Sequence, residues 1–538
     1  MSDAVACAQA VVGQLLAQGV TDVVLAPGSR SAPLALVLDA AARAGLVRLH
    51  VRIDERGAGF LALGLAKASG RCVPVVTTSG TAVGNLLPAV MEASHAGVPL
   101  LVVSADRPAS LVGSGANQTT EQADLFGGFV RFRARVASTA APASWPAQVA
   151  RAVLAAEGAL SRHAGPAHLN VELAAPLVPA AGTVSPPVAG VAVRAAAATA
   201  AEPVVLPGTP RTLVVCGDAS PAVGAAARCL AEEAGLPLLA EPSSNARAGK
   251  NAVATGRLLL SGHLGAAVER VLVFGRPNLS RPVTTLLSRA DVELVVVGHN
   301  PDYLDPGWRA TLVAGAVRVE PGPADWLAQW LEADAELAVR VAAATQDGLL
   351  TGPELARTVL AAVGTGQVLC LGNSNGIRDA DLAPVPAEPV TVFANRGLSG
   401  IDGTIATAAG IALATGAPTT LLLGDLAFCH DAGSLVIGPG EPRPALRIVV
   451  ADDRGGSIFA TLEYGQDRFA DAFERVFATP PGVDLVALAD GYGVPARRLR
   501  GIDELRAALV APVEHLEVLV VDVDRSGRAD LSRRLTTE

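Results

Sequence analysis

Short β-branched runs alternate with longer alanine-rich stretches along this chain, and that grammar leaves few folds open. Asp22–Ala26, Cys72–Thr77 and Leu100–Ser104 read as buried strands, with Glu55–Ser69 and Ala82–His95 as helices between them. Apolar strands joined by helical crossovers imply parallel sheets covered by helices on both faces. The pattern resumes at Thr212–Cys216, Arg270–Phe274 and Val292–Val297, and again at Thr419–Leu423, Leu446–Ala451 and Val518–Val523. From Ala180 to Arg211 the chain is rich in Ala, Pro, Gly and Val without a period, as a linker would be. A second break falls near Gln346–Pro353, after a helical segment around Asp325–Val341. The expected architecture is α/β, with three doubly wound parallel-sheet domains at 1–180, 211–345 and 346–538 and a linker over 181–210.

Composition narrows the function classes. A chain of 538 residues is too long for one ordinary core, and 50% hydrophobic with 17% charged residues is globular composition. The apolar excess is spread over short runs, none approaching the roughly 20 residues of a spanning helix, so no integral membrane segment is expected. The first residues lack the basic region of a signal peptide, and the six cysteines are scattered with no Cys-x-x-Cys pair. A cytoplasmic protein without a disulfide framework or zinc site is the expectation. A net charge of −9 argues against nucleic acid as a general partner. Lys67 and Lys250 are the only lysines among 42 basic residues, so an arginine here is often an ordinary surface cation.

Two apolar strands end in acidic residues: Thr419-Thr-Leu-Leu-Leu-Gly424-Asp425-Leu426, and Arg447-Ile-Val-Val-Ala-Asp452-Asp453-Arg454-Gly455-Gly456. Asp425 and Asp453 are 28 positions apart, the length of one βαβ crossover, so both carboxylates can emerge at the carboxyl edge of one sheet. Magnesium takes hard oxygen ligands, commonly one or two carboxylates plus phosphate. A helix following Gly424 would aim N–H groups at such a phosphate. Gly455 and Gly456 would allow close backbone approach and offer a carbonyl. Either Asp alone reads more readily as a polar strand end; the pair is what makes the metal reading competitive.

Glu55 stands where an extended segment, Val51-Arg-Ile-Asp54, enters a helix of glycine and apolar residues. An acid at that place complements the helix dipole. With such neighbours a buried carboxyl of raised pKa, able to share a proton with a ring nitrogen, is the other reading. Further loops carry Arg or small polar groups at strand ends: Pro27-Gly-Ser29-Arg30-Ser31, Asp106-Arg107-Pro108, Gly115-Ala-Asn117-Gln118, Gly372-Asn373-Ser374 leading to Arg378, and Asn395-Arg396-Gly. Converging arginines would suit a substrate with several carboxylates, although each alone reads as surface charge.

The Asp425/Asp453 spacing resembles the diphosphate-binding motif of thiamin-diphosphate enzymes, with Leu426 in place of the usual Gly and Asp453 in place of the common Asn. The whole set is more specific. Pro-Gly-Ser-Arg-Ser, Asp-Glu-Arg, Ala-Asp-Arg-Pro, Gly-Ala-Asn-Gln, Asn-Arg-Gly-x-Ser-Gly-Ile-Asp-Gly and Gly-Asp-Leu resemble the menaquinone-biosynthesis family of 2-succinyl-5-enolpyruvyl-6-hydroxy-3-cyclohexene-1-carboxylate synthases. The likeness runs from the first strand past residue 460 and is thin in the middle. Asp452 and Arg454 depart from the family's Asn-rich segment, whereas Gly455, Gly456, Ile458 and Phe459 match it.

The resemblance implies thiamin diphosphate held through magnesium, which manganese could replace, by Asp425, Asp453 and the Gly455 carbonyl. Gly424, Leu426 and Gly456 would contact the cofactor, Ile458 would support its bent shape and Phe459 would line the pocket. Glu55 would hydrogen-bond the aminopyrimidine. Ser29, Arg30, Arg107, Asn117, Gln118, Ser374, Arg378 and Arg396 would line a site where 2-oxoglutarate is decarboxylated and its succinyl unit added to isochorismate. A homodimer or a dimer of dimers is implied, with each site shared between chains. Another thiamin-diphosphate 2-oxoacid decarboxylase or an acetolactate-synthase-like enzyme is the alternative. Decarboxylases of that kind often use active-site histidines. This chain has no His-His pair, and His95 lies in a helical run.

Overall fold

A computed structural model describes residues 3–179, 182–196, 202–345 and 350–536. The expected domain edge at 180, linker residues 181 and 197–201, and the start of the break at 346–349 lie outside the described residues. The chain forms two compact units. One comprises Met1–Thr199 with Gly397–Gly416 and Asp431–Pro444; the other comprises Ala200–Arg396, Ala417–His430 and Ala445–Glu538.

The first unit is built on a six-stranded, all-parallel sheet. From edge to edge it runs Arg48–Val51, Asp22–Leu25, Val73–Thr77, Leu100–Asp106, Ala167–Glu172 and Phe132–Ala137. The central strands are buried on both faces, which is why they read as continuous apolar runs. Leu100–Asp106 extends two residues beyond the expected end, so Asp106 closes the strand and Arg107 begins the loop. The expected helix Ala82–His95 is two helices, Thr81–Gly84 and Leu87–Ala96. Pro88 lacks an N–H, so it is accommodated only in the first turn of the second helix.

The second unit holds two larger parallel sheets and a two-stranded parallel pair. The five-stranded sheet runs Ala310–Ala314, Glu293–Val297, Arg270–Phe274, Thr212–Cys216 and Leu238–Ala240. The six-stranded sheet runs Thr391–Ala394, Val368–Leu371, Thr419–Gly424, Leu446–Asp452, Glu517–Asp522 and Ala496–Leu499. Thr212–Cys216 and Arg270–Phe274 form over the expected residues. Outer strands such as Ala310–Ala314 and Ala496–Leu499 carry exposed residues and lack the unbroken apolar signal. Because the strands of a sheet are parallel, their carboxyl ends share one edge, and the loops leaving that edge carry the candidate site residues.

The architecture is therefore α/β, with parallel sheets and flanking helices. All six cysteines are free. Among the described residues no helix is long and apolar enough to cross a membrane.

Candidate active site

In the first unit, Glu55 opens the helix Glu55–Ser69 directly after the strand Arg48–Val51. Asp54 is extended and caps that helix, its carboxylate accepting the Arg56 N–H at 3.1 Å. Glu441 accepts the Val51 N–H at 2.7 Å and lies 3.6 Å from Arg52, which fixes the approach to the turn. The Glu55 side chain is half-buried rather than buried in the single chain.

Arg107 leaves the same sheet edge. Its Nη1 donates to the Ser79 hydroxyl and to the Gln118 carbonyl, both at 2.7 Å. Gln118, at φ +53°, returns a bond from Nε2 to the Ser79 carbonyl at 2.8 Å. Asp106 fixes the start of the Arg107 loop by accepting the Arg107 N–H at 2.7 Å, and is itself held by Asn170 at 2.9 Å. Arg30 donates to the Leu173 carbonyl at 2.9 Å, and burial together with the positive charge of Arg107 lowers its pKa. Ser29 and Asn117 are exposed. One corner thus gathers Arg30, Arg107 and Gln118. Sequence reasoning passed over Ser79 and Gln122, the groups that tie this corner together. Gln122 accepts the Gly80 N–H at 3.0 Å and donates to Asn170 at 2.8 Å. The Ser-Gly turn after the strand Val73–Thr77 was the available signal.

In the second unit, Gly424 ends its strand and Asp425, 1% exposed, opens the seven-residue helix Asp425–Asp431. The Asp425 carboxylate accepts the Leu426 N–H and the Gly455 N–H, both at 2.7 Å. The two strand ends are therefore in direct contact, as their spacing predicted. Asp453 accepts a hydrogen bond from the Ser457 hydroxyl, which in turn is met by Asn375 Nδ2 at 2.5 Å. Its neighbour Asp452 is committed elsewhere, to Arg498 at 2.9 Å. Burial, with repulsion from Asp453, pushes the Asp425 carboxyl up to about 7 against the pull of its two N–H donors. Burial raises Asp453 to about 6, with Ser457 and Arg528 opposing.

Two desolvated carboxylates, one of which raises the other's cost of ionisation, suit a hard divalent cation. Among the described residues no three His, Cys, Asp or Glu side chains form a metal cage.

The glycines after Asp453 have a packing reason of their own. Gly455 sits at φ +123°, and a Cβ there would lie 2.2 Å from the Ala478 carbonyl oxygen; one on Gly456 would lie 2.7 Å from the Phe459 ring. Phe459 belongs to an aromatic cluster with Tyr464 and Phe477, whereas Ile458 lines a cavity of about 410 Å³ with Arg257, Asn375, Arg378 and Arg528. Arg378 donates to the Ser374 carbonyl at 2.8 Å, and Ser374 itself has φ +69°. Burial, then the charges of Arg396, Arg257 and Arg528, lowers the Arg378 pKa, although Arg257 and Arg528 have carboxylate partners of their own in Asp381 and Asp379. Arg396 is 2% exposed and held by Asn373 at 2.8 Å and Asn278 at 2.6 Å. A larger cavity of about 540 Å³, lined by Leu369, Val392 and Leu509 among others, is mostly apolar and contains none of the expected site residues.

Comparison with known proteins gives the family. Residues 5–125 match the family model described as the N-terminal TPP binding domain of thiamine pyrophosphate enzymes, and residues 380–523 match the C-terminal TPP binding domain. A protein of Kineococcus radiotolerans named 2-succinyl-5-enolpyruvyl-6-hydroxy-3-cyclohexene-1-carboxylate synthase is 52% identical, over 96% of each chain. Proteins of the same name from Paenarthrobacter aurescens and a Nocardioides species are 49% and 48% identical, over 99% of this chain and 96% and 97% of theirs. The chain belongs to the 2-succinyl-5-enolpyruvyl-6-hydroxy-3-cyclohexene-1-carboxylate synthase family of thiamine pyrophosphate enzymes.

Proposed function

We propose that this chain decarboxylates 2-oxoglutarate and adds the resulting succinyl unit to isochorismate, a thiamin-diphosphate-dependent carbon–carbon bond formation in menaquinone biosynthesis. The observation that carries the reading is the pair Asp425 and Asp453, two desolvated carboxylates at the edge of a sheet whose neighbouring strands lead into segments bearing Arg378, on the short helix Asn375–Ala380, and Arg396. The relatives' common name favours this reaction over a simple 2-oxoacid decarboxylase or an acetolactate synthase.

In this reading residues 1–180 bind the pyrimidine, 346–538 bind the diphosphate, and 211–345 form a central domain reached through the linker 181–210. Asp425, Asp453 and the Gly455 carbonyl would hold magnesium, or manganese, against the diphosphate, with Gly424, Leu426, Gly456, Ile458 and Phe459 around the cofactor. Thiamin diphosphate, when bound, supplies the electron sink for decarboxylation and transfer. Glu55 would hold a proton at the aminopyrimidine. Arg378 and Arg396 would grip substrate carboxylates, Asn117 and Gln118 would position hydroxyl or carboxylate oxygens, and Ser29, Arg30, Arg107 and Ser374 would line the same pocket. Arginine suits this task because its planar fork matches a carboxylate.

The test supplies thiamin diphosphate, magnesium and 2-oxoglutarate, with and without isochorismate, and follows both substrates. Isochorismate consumed only when 2-oxoglutarate is present supports the reading. Pyruvate consumed with isochorismate untouched would favour the acetolactate-synthase-like alternative.

A further inference from the structure

Five arginines are buried among the described residues: Arg52, Arg247, Arg270, Arg396 and Arg447. Four of them have a carboxylate within ion-pair distance. Arg52 lies 3.6 Å from Glu441, Arg247 3.7 Å from Asp381, Arg270 2.6 Å from Glu293 and Arg447 2.7 Å from Glu517. That is the expected state of a buried cation, because an uncompensated charge away from water is costly. Arg396 is the exception.

Its guanidinium is held by two neutral amides instead. Nη1 donates to Asn373 Oδ1 at 2.8 Å, Nη2 donates to Asn278 Oδ1 at 2.6 Å, and Nε has no partner. Both amides are oriented by their other ends: Asn373 Nδ2 donates to the Asn395 carbonyl at 2.8 Å, and Asn278 Nδ2 donates to the Arg396 carbonyl at 3.1 Å. Flipping either amide would set N–H against N–H and C=O against C=O, so the geometry defines the orientation. Glu241 feels the positive charge of Arg396. Glu241 accepts the Leu279 N–H at 2.9 Å, and burial pushes its carboxyl up to about 8, so it is a weak counter-charge at neutral pH. Arg378 adds a second positive charge nearby.

We propose that Asn278 and Asn373 are positioning residues that fix the Arg396 guanidinium without neutralising it, leaving its charge for a carboxylate of the 2-oxo acid. The inference rests on the reading of Arg396 as a substrate-carboxylate residue. Asn is the right residue because Asp, of the same shape, would form an internal ion pair and compete with the substrate. A buried group left unsatisfied by its own fold is where binding energy for an outside partner is stored.

Steady-state kinetics on the holoenzyme, varying each substrate in turn, test this with Asn278→Asp and Asn278→Ala. The expected KM for 2-oxoglutarate rises in the order wild type, Ala, Asp, with Asp raising it about tenfold or more because like charges oppose binding. The KM for isochorismate stays within about twofold of wild type, since Asn278 acts on one carboxylate site. A purely structural role predicts the opposite order, because Asp preserves the shape that Ala removes. An Ala variant at least as impaired as Asp, or an equal rise for both substrates, would overturn the proposal. Should Asn278→Asp fail to fold, Asn373→Asp against Asn373→Ala provides the same comparison from the other side of the guanidinium. Arg396→Gln separates the two levels. If it leaves the 2-oxoglutarate KM unchanged, the reading of Arg396 fails; if it raises that KM while the Asp and Ala order is reversed, only the amide clamp fails.

Discussion

If Asp425 and Asp453 hold the metal as proposed, cofactor loading depends on pH. Their pKa values are raised, to about 7 and about 6, by burial and, at Asp425, by the charge of Asp453. In the metal-free protein they hold protons that a divalent cation must displace, so loading weakens on the acid side. Calorimetric titration with magnesium and thiamin diphosphate should show affinity falling roughly tenfold per proton displaced for each pH unit below about 6 to 7. The stability of the metal-free protein runs the other way. Folded pKa values above the unfolded ones mean that this contribution is fully present below about pH 4 and is lost as pH rises through 6 to 7. Asp453→Asn keeps an oxygen ligand and removes the repulsion that helps raise Asp425, so the acid limb of cofactor binding should move to lower pH while activity persists. An unmoved acid limb would show that the two carboxylates do not act on each other. The pair itself was legible in the sequence, because the crossover length sets where strand ends meet. The raised pKa values were not, since they depend on burial by segments far away in the chain.

At the scale of elements, the helix that presents Glu55 is fixed by close glycine contacts. Glu55–Ser69 packs against Thr404–Thr415 within the first unit. A Cβ on Gly64 would lie 2.1 Å from the Thr407 carbonyl oxygen, and one on Gly410 would lie 2.3 Å from the Leu61 carbonyl oxygen. Backbone meets backbone at both points, so no side chain can rotate away to make room. Gly64→Ala should therefore cost about 1–3 kcal/mol of stability, read as a lower midpoint in thermal or urea unfolding. Activity should fall with it as the Glu55 end of the helix shifts; a variant of unchanged stability would contradict the packing argument. The pairing was invisible in the sequence. Nothing in the sequence of Thr404–Thr415 marks its partner, which lies more than 300 positions earlier. The same limit explains the Ala82–His95 reading, where continuous apolar character masked the restart at Pro88. The central strands were easy to read because burial on both faces leaves an unbroken apolar run; the edge strands lack that signature.

For the whole molecule, the question is whether one active centre draws on one chain or two. Glu55 belongs to the first compact unit and the Asp425/Asp453 pair to the second. A site shared between copies and a site closed within one chain predict different outcomes for mixed variants. Glu55→Gln keeps the side-chain shape while removing the acid, and Asp425→Ala removes the proposed metal ligand, so each variant should be inactive by itself. If the chain pairs as the proposed homodimer, random exchange of equal amounts gives half heterodimers. If Glu55 of one copy faces the Asp425 of the other, each heterodimer contains one doubly defective and one intact site. Activity should then recover to about a quarter of wild type per chain. If both groups serve the same chain, every site in the heterodimer keeps one defect and nothing is regained. Differently tagged variants, with exchange confirmed by co-purification before the assay, distinguish these cases. Recovery near a quarter supports the shared site, and confirmed exchange without recovery would sink it.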